Sequence, residues 1–139
     1  MHVTVPGDAG RTVRRGVKAH AAADGAATTR IRALPITTPE QTFLDLAAAG
    51  LDLIALVVLG DSLIRACRAS ARELVDAAIA WRGRGAKQAR RAARCVRDGV
   101  DSVMESRLRM LLVLAGLPEP QVNVIIRHPD GFWRMRFDL

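Results

Sequence analysis

The spacing of apolar positions changes character along this chain. Val3 and Val5 alternate with polar residues ahead of Pro6-Gly7-Asp8, a strand running into a turn. Thr12 to Lys18 repeats a strand-and-turn pattern around Gly16, and Ala21 to Thr29 is small and polar, as a loop is. Arg30-Ile31-Arg32-Ala33-Leu34 alternates again, and Pro35 marks its end or an edge position.

From Thr38 the period becomes helical. Thr38-Pro39-Glu40-Gln41 supplies a cap, a proline at the first helical position and a glutamine three residues past the cap, predicting a helix to about Ala49 with Gly50 beyond its end. Asp52 is placed to cap the next helix, whose near-continuous apolar run through Leu53, Leu56, Val57, Leu63 and Ile64 predicts the centre of the molecule. Ser70-Ala71-Arg72-Glu73 is a second capping box, opening a helix to about Trp81. Gly83 and Gly85 break the chain before a basic helix over residues 86–97. After Gly99, Ser102-Val103-Met104-Glu105 opens a further helix, apolar on all sides from Met110 to Ala115 and therefore expected to be well buried, ending at Gly116 and Pro118.

A hairpin is predicted last. Val122, Val124 and Ile126 share one face, Pro129-Asp130-Gly131 makes the turn, and residues 132–139 alternate strictly, with Trp133, Met135, Phe137 and Leu139 on one side. The expected fold class is α+β, helix-dominated: a short β segment at the start, a helical middle, then a helix plus β-hairpin. Two domains are expected, 1–99 and 100–139. Two strands make a marginal sheet, and the last strand presents an open edge.

Composition sharpens this. Half of the 139 residues are apolar and only 4% are aromatic, so the core is aliphatic, and the abundant alanine favours helix. No uncharged apolar run approaches the ~20 residues needed to span a bilayer, so no membrane partner is expected. Met1 to Pro6 lacks a basic, then apolar, leader pattern, and two cysteines are too few for a disulfide framework; both point to a cytoplasmic protein. The net charge of +7 is local. Arg82, Arg84, Lys87, Arg90, Arg91, Arg94 and Arg97 lie in a stretch without a single acid, and the remainder of the chain is neutral. Nineteen of the 21 basic residues are arginine, whose planar fork suits phosphate, although a GC-rich genome gives the same bias.

The runs Met104-Glu105-Ser106-Arg107-Leu108-Arg109, Leu111-Leu112, Gly116-Leu117-Pro118-Glu119-Pro120, Gln121-Val122-Asn123-Val124, Asp130-Gly131 and Phe137-Asp138-Leu139 together resemble the opening of an actinobacterial endonuclease domain. That domain is similar to the very-short-patch-repair endonucleases, within the PD-(D/E)XK superfamily. Leu34 to Pro39, Thr42 to Ala47 and Val57 to Ile64 resemble the linker region of the same multidomain proteins, many of which begin with a winged-helix domain like that of AbiEi-type antitoxins. The resemblance implies a restriction-endonuclease-like start, with Glu105 and Asp138 as the first two acids of a Mg2+ site for phosphodiester hydrolysis. The family continues into a further strand with another carboxylate, and its longer members carry a DNA-binding module ahead of the matched part. Against that pattern the chain is expected to be a truncated piece, catalytically inactive, holding no cofactor unless the site were completed.

Each signal also has a plainer reading. Glu105 is the N3 residue of a capping box. Asp138 is an acid beside Arg136. Lys87, Arg90, Arg91, Arg94 and Arg97 recur at three- and four-residue steps on one broad helix face, which suits successive DNA phosphates and equally suits solvent. No aromatic is interleaved for base stacking, so duplex rather than single-stranded DNA is the expected nucleic-acid partner. His2, His20 and His128 are too scattered for a metal site, and neither Cys67 nor Cys95 has a partner of a nucleophile. The expected function is a nuclease-fold relative binding DNA non-specifically through the basic helix. The alternatives are an antitoxin-like regulatory module that pairs with a protein partner, or with itself, through the open edge of Trp133 to Leu139, and a gene remnant without function.

Overall fold

The computed structural model describes residues 2–5, 15–21, 25–131 and 133–137. Among these are five helices and six short strands, a mixed α+β fold dominated by helix. No described helix is long and apolar enough to cross a membrane. The strands form three separate two-stranded sheets: β1 (His2–Val5) with β2 (Lys18–Ala21), β3 (Thr28–Ile31) with β4 (Leu34–Thr37), and β5 (Val124–Arg127) with β6 (Trp133–Phe137).

β1 and β2 pair in parallel, a relation the strand pattern does not reveal. β3 and β4 form a hairpin whose turn residues, Arg32 and Ala33, both take positive φ (47° and 67°), the geometry of a two-residue turn matched to strand twist. The segment read as a loop ends in strand at Thr28 and Thr29, the strand read over residues 30–34 holds the turn, and Pro35 lies inside β4 rather than at its end. Pro35 is tolerated because, among the described residues, β4 has a neighbour on one side only, so its missing N–H faces no ladder. Gln41 ties this hairpin to the helices: its Oε1 accepts the Ala27 N–H at 3.2 Å, and the Thr38 N–H donates to the Ala27 carbonyl at 3.0 Å.

The helices begin where the caps predict. Thr38 Oγ1 accepts the Gln41 N–H at the start of α1 (Pro39–Ala48), and Asp52 Oδ1 accepts the Ala55 N–H at the start of α2 (Leu53–Arg65). Ser70 and Glu73 complete a reciprocal capping box on α3 (Ala71–Ala80), and the Ser70 backbone and hydroxyl donors hold the Glu73 carboxyl below its ordinary value. α4 (Ala86–Cys95) has no side-chain cap and starts from Gly85. α5 (Val103–Leu114) is capped by Ser102.

α2 lies at the centre and touches the other four helices. Phe43, Leu56, Val57, Leu74 and Met110 are almost fully buried around it, with the small face of α4 (Ala89, Ala92, Ala93) closing the core. Alanines let α4 approach closely. So does Gly60 on α2, where a Cβ would stand 2.4 Å from Val96 Cγ2. α5 corrects an expectation: it buries only one side, through Ser106, Arg109 and Met110, and leaves Met104, Leu108, Leu111 and Leu114 exposed. An apolar sequence signals that a helix has something to cover, not that a covering element stands there. The division placed at 99/100 falls between α4 and α5, and α5 packs against α2.

In the last sheet Val124 is registered against Phe137 and Ile126 against Met135, with an irregularity at Arg127. The turn is the predicted one: Gly131 takes φ +89°, and its N–H donates to the His128 carbonyl at 2.8 Å.

Gly85 and Gly99 make a controlled pair. Both have positive φ (77° and 80°), but a Cβ at Gly85 would lie 2.4 Å from the Ala47 carbonyl oxygen, while one at Gly99 meets nothing within 4 Å. Gly99→Ala is expected to cost only the left-handed penalty, about 1–2 kcal/mol. Gly85→Ala must also push two backbone segments apart and is expected to cost about 1–3 kcal/mol more. Denaturant midpoints of the two variants measure the difference.

Candidate nucleic-acid interface

α4 is amphipathic in the simplest way. Ala89, Ala92, Ala93 and Val96 follow the i, i+3, i+4, i+7 spacing and are buried. Lys87, Arg91 and Arg94 fall on the opposite side and are exposed. The turn that leads into the helix wraps around Trp81. Its indole N–H donates to the Arg84 carbonyl at 3.0 Å, and Gly83 lies so close to the ring that a Cβ there would be 2.5 Å from Cζ2. Lys87, Arg91 and Arg94 form one row with steps of four and three residues, and the exposed Arg84 lies in the turn just ahead of the helix, before Gly85 at its start.

The seven basic residues singled out from the sequence do not act as one face. Arg90 is half-buried and donates to the Trp81 carbonyl at 3.3 Å, closing the C-terminal end of α3. Arg82 donates to the Ile79 carbonyl at the same end. Arg97 donates to the carbonyls of Arg94 and Val96 and forms an ion pair with Glu119 at 2.8 Å. The expected row of Lys87, Arg90, Arg91, Arg94 and Arg97 is therefore corrected. Two of its members serve the fold, and Arg84 joins those that remain.

None of Arg84, Lys87, Arg91 and Arg94 has a described carboxylate within 4 Å. Like charges at i, i+3 and i, i+4 repel by about 0.2–0.5 kcal/mol a pair, and Lys87 stands in the first turn, the end of the helix dipole that disfavours cations. This row costs helix stability, and among the described residues no carboxylate stands within 4 Å to offset it.

The Glu105 carboxylate accepts the Asp101 N–H at 3.2 Å, and the Glu105 N–H donates to Ser102 Oγ at 3.1 Å. The capping reading accounts for it, with the side chain reaching one residue beyond the cap itself. Asp138, its expected Mg2+-binding companion, lies outside the described residues. Among the described residues, no group of three or more His, Cys, Asp and Glu is placed to hold a metal ion.

Sequence reasoning missed the most buried charge cluster. Arg109, 1% exposed, pairs through Nη2 with Asp61 Oδ2 at 2.9 Å, and Asp61 is 2% exposed. Arg109 Nη1 donates to the Cys95 carbonyl at 2.8 Å and to Glu119 Oε1 at 2.9 Å, while Asp61 Oδ1 accepts the Arg97 N–H at 2.8 Å. Arg109 Nε has no hydrogen-bond partner among the described residues. Glu119 spans Arg97 and Arg109: burial pushes its carboxyl up, the two guanidiniums outweigh that, and it is held below its ordinary value of 4.5. The only signal in the sequence was an acid inside the otherwise apolar pattern of α2, at a position that also faces the core.

Asp61→Ala leaves the Arg109 guanidinium buried without its main counter-charge and is expected to cost about 3–5 kcal/mol. The double variant Asp61→Ala with Arg109→Met is expected to cost less than the sum of the two single changes, as a double-mutant cycle in urea will show. Glu119→Gln is expected to cost on the order of 1 kcal/mol at neutral pH, given how much solvent reaches that side chain. The folded-state value of Glu119 is the lower one, so its contribution is complete above 4.5 and is lost as pH falls through the lowered value. Stability curves of the wild type and Glu119→Gln should converge there; a gap that stays constant with pH would assign the effect to packing.

No protein-family model, curated protein or solved structure matches this chain.

Proposed function

We propose that this protein binds the phosphate backbone of duplex DNA, without sequence preference, through Arg84, Lys87, Arg91 and Arg94. The observation that carries this reading is the cationic surface itself: Lys87, Arg91 and Arg94 exposed on one side of α4 and Arg84 exposed in the turn ahead of it, with no described acid beside them and a cost to helix stability that a bound polyanion reverses. From Lys87 to Arg94 the helix rises about 10 Å, against an axial spacing of about 3.4 Å per phosphate along one strand, so the side chains reach several successive phosphates. Three of the four are arginine, which grips phosphate in a bidentate fork. The resemblance of residues 104–139 to the opening of a very-short-patch-repair-like endonuclease domain agrees with a duplex-DNA ligand. The proposed role is binding, and it makes no use of the Glu105 carboxylate, which accepts the Asp101 N–H at the start of α5.

Salt titration tests it. Each lost phosphate contact lowers the slope of log affinity against log salt by about 0.9, so replacing all four residues by glutamine is expected to flatten the slope by about 3–4. Arg68→Gln with Arg72→Gln removes two exposed charges elsewhere and is expected to leave the slope nearly unchanged. A quadruple variant that keeps its fold by circular dichroism and also keeps the wild-type slope would sink the proposal. A control that lost as much per charge would reduce it to a general charge effect.

A further inference from the structure

On α5, Ser106, Arg109 and Met110 turn inward to α2, and an arc that begins beside Met110 and runs away from α2 carries Val103, Met104, Leu108, Leu111 and Leu114, all exposed. Leu117 is also exposed; it follows directly, with its N–H donating to the Leu112 carbonyl in the turn that ends the helix. Met104 is 68% exposed and Leu111 62%, values out of keeping with core-type side chains at the middle of a helix. The six residues leave on the order of 600 Å² in water, at the upper limit for the largest apolar patch of an ordinary monomer and close to the ~800 Å² that each partner brings to a standard interface.

We infer that this face of α5 is a homodimer interface, occupied by the same face of a second copy of the chain. The area sets the class of partner: with a polar rim added, it reaches what a stable two-fold contact needs. The chemistry sets its identity. Arg107 is the only charge on the exposed arc, so a charged partner finds a single group to pair with there, whereas an identical apolar face matches the rest of it. Two-fold symmetry brings one patch onto itself, and a 12-residue helix does this by packing antiparallel against its copy. A long arginine side chain can lay its stem along apolar surface and keep its guanidinium in water, so two copies can meet without burying the Arg107 charges. The +7 excess is confined to residues 82–97 and adds no further charge to α5. This interface is independent of the DNA-binding reading.

The test is the mass of the purified full chain in solution, measured by sedimentation across a range of micromolar concentrations. Reducing buffer is required, because Cys67 is exposed and would form disulfide-linked dimers. A concentration-dependent dimer is expected for the wild type, and Met104→Arg with Leu111→Arg is expected to give a monomer of unchanged helix content. Ile79→Arg, which changes an exposed apolar residue on α3, is expected to leave the dimer intact. A wild type that stays monomeric throughout overturns the inference. So does a dimer that survives the double arginine variant, or one that Ile79→Arg disrupts equally. Open-ended association without a dimer plateau overturns it as well, since a two-fold contact closes.

Discussion

The ion pair between Arg109 and Asp61 is the constraint around which the helices are arranged. Removing two charges from water is expensive, and attraction alone rarely repays it; the remaining donors and acceptors must find partners too. Here those partners fix geometry. Asp61 comes from the middle of α2, Arg109 from the inner face of α5, and the Cys95 carbonyl and Arg97 N–H from the end of α4. A slide of any one element by a turn would leave a buried charge or a buried carbonyl unmatched. Hydrophobic contacts among leucines and alanines tolerate such slides far better. The pair thus contributes specificity of arrangement more than net stability.

Its neighbours accommodate it. Gly60 precedes Asp61, and its missing side chain lets Val96 close over α2 where the Arg97 N–H must reach the carboxylate. Glu119 extends the cluster to the surface and holds Arg97 there. This separates structural from available charge on α4. The residues on the flanks, Arg90 and Arg97, close helix ends and pair with an acid, while those opposite the alanine face remain open to an external anion. A basic segment that is uniform in sequence is therefore two populations in space.

Surface exposure divides in a similar way between the two amphipathic helices. On α4 the outward side is cationic, and on α5 it is apolar. Water solvates the charges of the first, leaving only their mutual repulsion as a cost, whereas the second stays exposed at a free-energy penalty that burial against a matching face removes. The two faces call for different partners and act through different physics, one sensitive to salt and the other to the loss of apolar area.

How much was legible depends on the range of the interaction. Local sequence sets the helix starts at Thr38, Asp52, Ser70 and Ser102, the breaks at Gly85 and Gly116, and the final turn at Asp130-Gly131, because caps and positive-φ residues act within three or four positions. It also marked the basic segment, since charge is a property of residues. Tertiary structure alone decided the parallel pairing of β1 and β2, the burial of Arg109 against a residue 48 positions away, the withdrawal of Arg90 and Arg97 from the exposed row, and the uncovered side of α5. Periodicity says which residues share a face, but what that face meets depends on how distant segments are brought together, and no local pattern encodes it.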